Sequence, residues 1–153
     1  MSIQSDIDRI TEEESRLQFE HFDHDLGHRI GTALHEEARN RGVSVAIDVT
    51  AYGQQLFHIA MAGTTPDNDR WIERKVAVVL RFHKSSLRVG RALAAEKMTI
   101  EERYYVNPRE FVPHGGSFPI RLRGAGVIGA ITVSGLAQED DHALVVSVLE
   151  RFV

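Results

Sequence analysis

The spacing of apolar positions changes character several times along the chain. Phe22, Leu26, Ile30, Ala33 and Leu34 recur three and four residues apart, which predicts a helix over residues 22–41 that Gly42 is placed to end. A shorter acidic helix is expected ahead of it, over residues 8–19, with Thr11 as N-cap and Glu14 as its capping-box partner. Beyond Gly42 the pattern turns β-rich. Residues 43–51 and 55–62, separated by Tyr52-Gly53-Gln54, predict a hairpin. Residues 63–69 read as a polar loop whose last residue, Asp69, can cap the next helix. That helix, over residues 70–84, has Ile72, Val76, Val79 and Leu80 on one side, and Trp71, Val78 and Phe82 widen the apolar arc. So broad an arc predicts cover on two sides, by a sheet and by another helix or a second subunit. A further helical stretch is expected from Ser85-Ser86 to Met98, followed by a connecting segment broken by Pro108, Pro113 and Gly115-Gly116. Residues 117–122 and 127–134 predict two more strands around the turn Arg123-Gly124-Ala125-Gly126. Residues 138–152 predict a closing amphipathic helix with Glu139, Asp140 and Asp141 in its first turn, where the helix dipole favours acids.

Hairpins imply antiparallel pairing, and strands this few and clustered do not make a doubly wound parallel sheet. The expected class is α+β, helices packed on the faces of a twisted antiparallel sheet. With 153 residues and no low-complexity linker or internal repeat, residues 1–153 are expected to form one domain. The 42% apolar share is enough for a packed core and excludes a disordered chain. The absence of Cys excludes a disulfide framework, thiolate metal sites and a cysteine nucleophile, and it fits a reducing cytoplasm. A net charge of −4 gives no global reason to expect nucleic acid. Residues 1–15 have neither the basic nor the apolar region of a signal peptide. The longest apolar runs fall far short of the ~20 residues that cross a bilayer. The expectation is a soluble cytoplasmic domain without nucleic-acid or membrane partners.

Three patterns invite sharper readings. Gly124-x-Gly126-x-x-Gly129 matches a dinucleotide-binding fingerprint, but that loop must open a helix, and here it opens a strand; a tight turn plus one strand glycine under close backbone approach is the better reading. His21, His24, His28 and His35 are spaced for a metal or haem site, yet they fall opposite the apolar stripe, on a solvated face. Arg70, Arg74, Arg81, Lys84, Arg88 and Arg91 would form one stripe if a single helix ran past Ser85. The absence of interleaved aromatics favours neutralisation of the acidic N-terminal forty residues over contact with nucleic acid.

A fourth pattern carries more chemistry. Pairing of the last two strands places His114-Gly115-Gly116-Ser117 opposite Val133-Ser134-Gly135, which leads into the final helix. His114, Ser117, Ser134, Asp141 and His142 are then expected to converge at one end of the sheet, beside a helix N-terminus and open glycine backbone. Such a corner suits an anionic or polar ligand. Its alternative is a purely structural turn. Val133-Ser134-Gly135 lacks the leading Gly of a nucleophile elbow, and neither a P-loop nor an HExxH motif is present.

Five segments in order carry a family resemblance: Trp71–Lys75, His83–Gly90, His114–Ile120, Gly126–Leu136 and Asp141-His142. Together they span residues 71–153 and resemble an uncharacterised branch of the GlcG/HbpS-like superfamily, whose domain is often labelled haem-degrading. The resemblance implies a profilin-like α+β fold and symmetric homo-oligomers. It makes haem or a related tetrapyrrole the family-level ligand, although no haem-ligand motif maps onto this chain. The family's Gly-Gly-x-x-Pro and Ser-Gly segments map onto Gly115, Gly116, Pro119, Ser134 and Gly135, while Ala137 stands in place of a Pro. The expected function is therefore an oligomeric small-molecule-binding domain with its site at His114–Ser117, Pro119, Ser134–Gly135 and Asp141–His142. Two alternatives stand beside it: an interaction oligomer without a small ligand, and a small hydrolase using Ser117 or Ser134 with His114.

Overall fold

The computed structural model describes residues 2–153; Met1, where the expected domain begins, lies outside them. Among the described residues the chain runs α1 (Ile3–Arg16), α2 (His24–Arg41), β1 (Ala46–Ala51), β2 (Gln54–Ala60), α3 (Pro66–Phe82), α4 (Ser86–Glu96), α5 (Ile100–Tyr104), β3 (Ser117–Leu122), β4 (Gly126–Ser134) and α6 (Gln138–Leu149). The strands form one antiparallel sheet in the order β2-β1-β4-β3, the α+β architecture expected from the hairpin pattern.

Strand alternation divides the sheet chemically. One face presents Ile47, Val49, Phe118, Ile120, Ile131 and Val133 to Leu26, Ile30 and Leu34 of α2 and to Leu144, Val145 and Val148 of α6, forming the main core. The other face carries Asp48, Thr50, Ser117, Thr132 and Ser134, and α3 lies across it. A second apolar cluster joins Val78 and Phe82 of α3 to Val89 and Leu93 of α4, and to Ile100, Tyr104, Val106 and Phe111. Ile72, Val78 and Val79 of the apolar arc are thus covered within this chain, whereas Leu80 stays 45% exposed and Trp71, Val76 and Phe82 half-buried, so part of the arc stays open.

Several local expectations shift. α1 begins five residues earlier than the expected start, capped by Ser2, whose hydroxyl accepts the Ser5 N–H. Thr11 sits inside the helix with its hydroxyl on the Ile7 carbonyl (2.7 Å). α3 is capped by Thr65, with Pro66 in its first turn and Asn68 completing a capping box, so Asp69 is helical rather than the cap. The segment after Thr99 forms a short helix through a Thr99–Glu102 capping box. α6 buries more than an amphipathic helix would: Asp141, His142, Leu144, Val145, Val146, Val148 and Leu149 pack against the sheet, α2 and α4, and a narrow stripe of Glu139, Asp140 and Ala143 is exposed. The chain turns at His83 (φ 57°) between α3 and α4, so the basic residues do not share one helix. Arg88 and Arg91 pair with Glu14 and Asp6 of α1, the neutralising role expected for the stripe. Among the described residues, no helix is long and apolar enough to cross a membrane.

Candidate functional site

The β3–β4 register pairs Ser117 with Thr132, and the Gly116 carbonyl accepts the Val133 N–H at 3.0 Å. Gly115 therefore lies opposite Ser134, as the strand pairing predicts. The Gln138 side-chain oxygen accepts the Gly115 N–H (3.0 Å), pinning the glycine segment to the first turn of α6. Gly116 has φ 135°, and a β-carbon there would lie 2.7 Å from the Lys75 ammonium; only glycine allows both the backbone path and the approach of Lys75. The N-terminal half of α3 closes the remaining side, since Asn68, Trp71 and Lys75 follow at three- and four-residue spacing. Together these elements enclose an open cleft of about 240 Å³.

Its floor is a buried ion pair. The Lys75 side chain is 4% exposed and its Nζ lies 3.1 Å from Asp141 Oδ2, while also donating to the Val133 carbonyl (3.2 Å). The other Asp141 oxygen accepts the Leu136 N–H at 2.9 Å. Burial pushes the Lys75 ammonium down from its usual range against the opposing pull of Asp141. The same burial pushes the Asp141 carboxyl up, opposed by Lys75 and the Leu136 N–H. Low dielectric thus drives both partners toward their neutral forms. One wall is aromatic: His114 stacks on Trp71 at 5.4 Å and 26°, Arg74 lies 4.5 Å over the Trp71 ring, and the Trp71 indole N–H donates to Asp67 (3.2 Å). Partial desolvation against Trp71, then the charges of Lys75 and Arg74, lower the His114 pKa and favour the neutral imidazole, although the residue is exposed at the rim. The lining holds two carboxyl groups, Asp67 and Asp141, and one lysine, a balance that suits polar neutral groups better than anions.

His114, Ser134, Gly135 and Asp141, all expected at this corner, line the cleft. Gly115 and Gly116 shape it through backbone contacts. Ser117 is fully buried, its hydroxyl on Thr132 (2.9 Å) and its N–H on Ser86, and Pro119 is buried further along β3. His142 points away from the cleft, because consecutive helical residues diverge by about 100°. Its Nε2 meets Glu13 at 2.8 Å, and its Nδ1 is buried without a partner. Among the described residues, His114 hydrogen-bonds neither Ser117 nor Ser134, so no serine–histidine pair is assembled. Sequence reasoning gave no role to Lys75, Trp71, Asn68 or Gln138. For Lys75 a signal existed: it is a charge among Ile72, Val76 and Val79, on the side of α3 that packs inward.

A second, more apolar groove of about 410 Å³ adjoins the cleft, with Leu93, Met98, Ile100, Phe111 and Pro113 among its walls; His114 and Gln138 line both. Elsewhere, the Gly-rich fingerprint resolves into the β3–β4 turn and strand. A β-carbon on Gly129 would collide with the Thr50 carbonyl, the close approach expected of it. His21, His24 and His28 are exposed and His35 is half-buried; among the described residues no cluster of His, Asp and Glu is arranged to hold a metal.

An α+β domain with a ligand-sized cleft between a sheet end, a helix tip and a crossing helix is the class that this geometry defines. The family model described as "Haem degrading protein HbpS-like" matches residues 22–150, and the chain belongs to that family. It is similar to a UPF0303 protein of Serratia proteamaculans (strain 568), at 45% identity over 100% of this chain and 95% of the relative. It is also similar to a UPF0303 protein of Streptomyces avermitilis, at 48% identity over 96% and 90%. Among solved structures, the Ybr137w protein superposes with a TM-score of 0.89 at 32% identity, covering 95% of this chain and 86% of its own. HbpS (TM-score 0.67, 20% identity, covering 89% and 92%) and the PduOC–haem complex (0.69, 17%, covering 86% and 94%) share the fold.

Proposed function

We propose that this chain is a small-molecule-binding domain whose ligand sits in the cleft above Lys75 and Asp141, against Trp71 and His114. The observation that carries this reading is the desolvated ammonium–carboxylate pair on the floor of an open cleft. A pair serving only to fasten α3 to α6 needs no opening beside it, and perturbed ionisable groups in a cleft are characteristic of ligand sites. Asn68, Ser134 and Gln138 supply hydrogen-bonding groups around the floor, and the Trp71–His114 stack supplies a flat surface. Trp71 is the only tryptophan of the chain, so its emission reports on the cleft directly. Titration of the full chain with a panel of small neutral and charged metabolites should change Trp71 emission for a polar subset, and Asp141→Asn should weaken that response. A panel that leaves emission unchanged throughout would remove the reading.

A second reading concerns haem, the ligand suggested by the family description. The cleft itself does not fit a macrocycle, being small and polar. The adjoining groove fits better, with an apolar lining for the ring and His114 at its border, its pKa lowered toward the neutral imidazole that can ligate iron. Haemin titration should give a Soret shift that His114→Ala abolishes; a shift that survives this substitution excludes His114 as the ligand.

Self-association and a cytoplasmic location complete the proposal. The outer edge of β2 is unpaired along seven residues without Lys or Pro, whereas Phe19 bridges to the end of β3 on the opposite edge. Sedimentation equilibrium that finds only monomer would exclude association through this edge, and cell fractionation tests the location.

A further inference from the structure

We propose that Lys75 is a nucleophile that forms an imine with small, uncharged hydroxy-aldehydes or hydroxy-ketones entering the cleft, with Asp141 as the proton carrier. This deepens the reading of the cleft as a ligand site and rests on it.

The geometry supplies each part. Lys75 lines the cleft, and its Nζ has two acceptors within reach, Asp141 Oδ2 and the Val133 carbonyl. Gly116, lacking a side chain, leaves the nitrogen room. An amine attacks a carbonyl only through its free electron pair, and burial shifts Lys75 toward that neutral form. The same burial makes Asp141 a better proton acceptor from the ammonium and keeps the proton on a group 3.1 Å away.

The step balances without any other reactant. The ammonium passes one proton to Asp141. The amine then forms the C–N bond, and the carbonyl π electrons move onto oxygen, which takes the proton from Asp141. Asp141 next removes a proton from nitrogen and delivers it to the hydroxyl, which leaves as water when the C=N bond forms. Ammonium and carbonyl become a protonated imine and water, Asp141 ends as the carboxylate it began as, and nothing is oxidised or reduced.

Charge sets the substrate class. The cleft lining holds two carboxyl groups, Asp67 and Asp141, and one lysine, so an oxo acid would add a third carboxyl group to the site. Hydroxyl groups find partners in Asn68, Ser134 and Gln138.

The chain has three lysines, Lys75, Lys84 and Lys97, of which the last two are exposed and serve as internal references. Full-length protein would be incubated with D-glyceraldehyde and cyanoborohydride and each lysine quantified by peptide mass spectrometry, with Trp71 emission followed in parallel without reductant. The expected result is reduction-trapped adduct on Lys75 at least about tenfold faster than on Lys84 or Lys97, because Lys75 alone has a carboxyl positioned to carry its protons. Lys75→Arg should remove the adduct, and Asp141→Asn should slow it about 10²-fold. Pyruvate should label Lys75 more slowly than glyceraldehyde. If Asp141→Asn fails to fold, the wild-type pH profile takes its place: labelling of Lys75 should level off below the ordinary lysine range. A changed Trp71 emission with Lys75 labelled no faster than the exposed lysines would overturn the imine proposal and leave the ligand reading intact. No emission change and uniform labelling would overturn both.

Discussion

Asp141 and His142 are neighbours in α6, each only 1% exposed and each paired with an ionisable group from a distant helix, yet their surroundings differ in kind. Asp141 meets Lys75 beside the open cleft, where burial dominates and pushes both partners toward neutrality. His142 meets Glu13 of α1 in the interior. There burial also acts against the Glu13 charge, but the hydrogen bond and charge interaction with His142, together with Arg9, outweigh it and hold the carboxyl below its usual range. The Glu13 carboxyl is the better compensated of the two acids, even though His142 keeps Nδ1 buried without a partner, while at the cleft the burial of Asp141 and Lys75 outweighs their attraction. Fasteners are built from groups that satisfy one another, whereas a group positioned to react has to remain partly unsatisfied.

This contrast can be broken at its strongest point first. Lys75→Met leaves the Asp141 carboxylate buried without a countercharge and should cost about 3–5 kcal/mol in urea unfolding; adding Asp141→Asn should recover much of that loss. If Lys75→Met alone is nearly neutral, the cleft pair is not held as described.

Next comes the fastener. Glu13→Ala should cost about 1.5–3 kcal/mol by removing a hydrogen bond to a charged group. The pH dependence has a definite sign. The folded-state pKa of Glu13 lies below its unfolded value near 4.5, so its stabilisation is complete above that pH and fades as pH falls through the lowered value. Urea midpoints of wild type and Glu13→Ala should differ most above about pH 5 and converge in stronger acid. Curves that stay parallel would remove the charge interaction from the account.

His114→Ala sharpens the other side of the comparison. His114 is exposed and contributes through its stack on Trp71, so the variant should lose no more than about 1 kcal/mol while changing Trp71 emission and any haemin response. The smallest effect is expected from His24→Ala, which should leave the urea midpoint unchanged because that ring is exposed, whereas the His28 ring packs edge-to-face on Phe57 at 5.6 Å.

Much of the fold was legible because its signals are local. Gly42 ends α2 with a left-handed φ of 68°, as the pattern of Phe22 to Leu34 followed by glycine predicts. The two hairpins are marked by Tyr52-Gly53 and Gly124–Gly126, whereas Ser85, whose hydroxyl caps α4, left open whether α3 and α4 were one helix or two. The signals failed where another element supplied the partner. Thr11 and Glu14 have capping-box spacing, but Glu14 is instead held by the Ser85 N–H and hydroxyl and by Arg88. No local pattern reveals that preference, because the groups are 71 and 74 residues apart.

Half of the corner was readable for a similar reason. Register between two strands joined by a short turn follows from the turn, so His114 and Ser134 could be brought together on paper. The crossing of α3 over the polar face of the sheet could not, since it depends on packing between elements rather than on spacing within one. That crossing puts Lys75 beneath Gly116 and Trp71 beside His114, and it decides that Asp141 serves the cleft while His142 turns to α1. The amino-acid order by itself determined the elements, their hairpin pairing and the family, all of which rest on short-range backbone preferences and motif order. Only the tertiary structure decided which buried charges meet, because the free energy of an ion depends on what surrounds it in space.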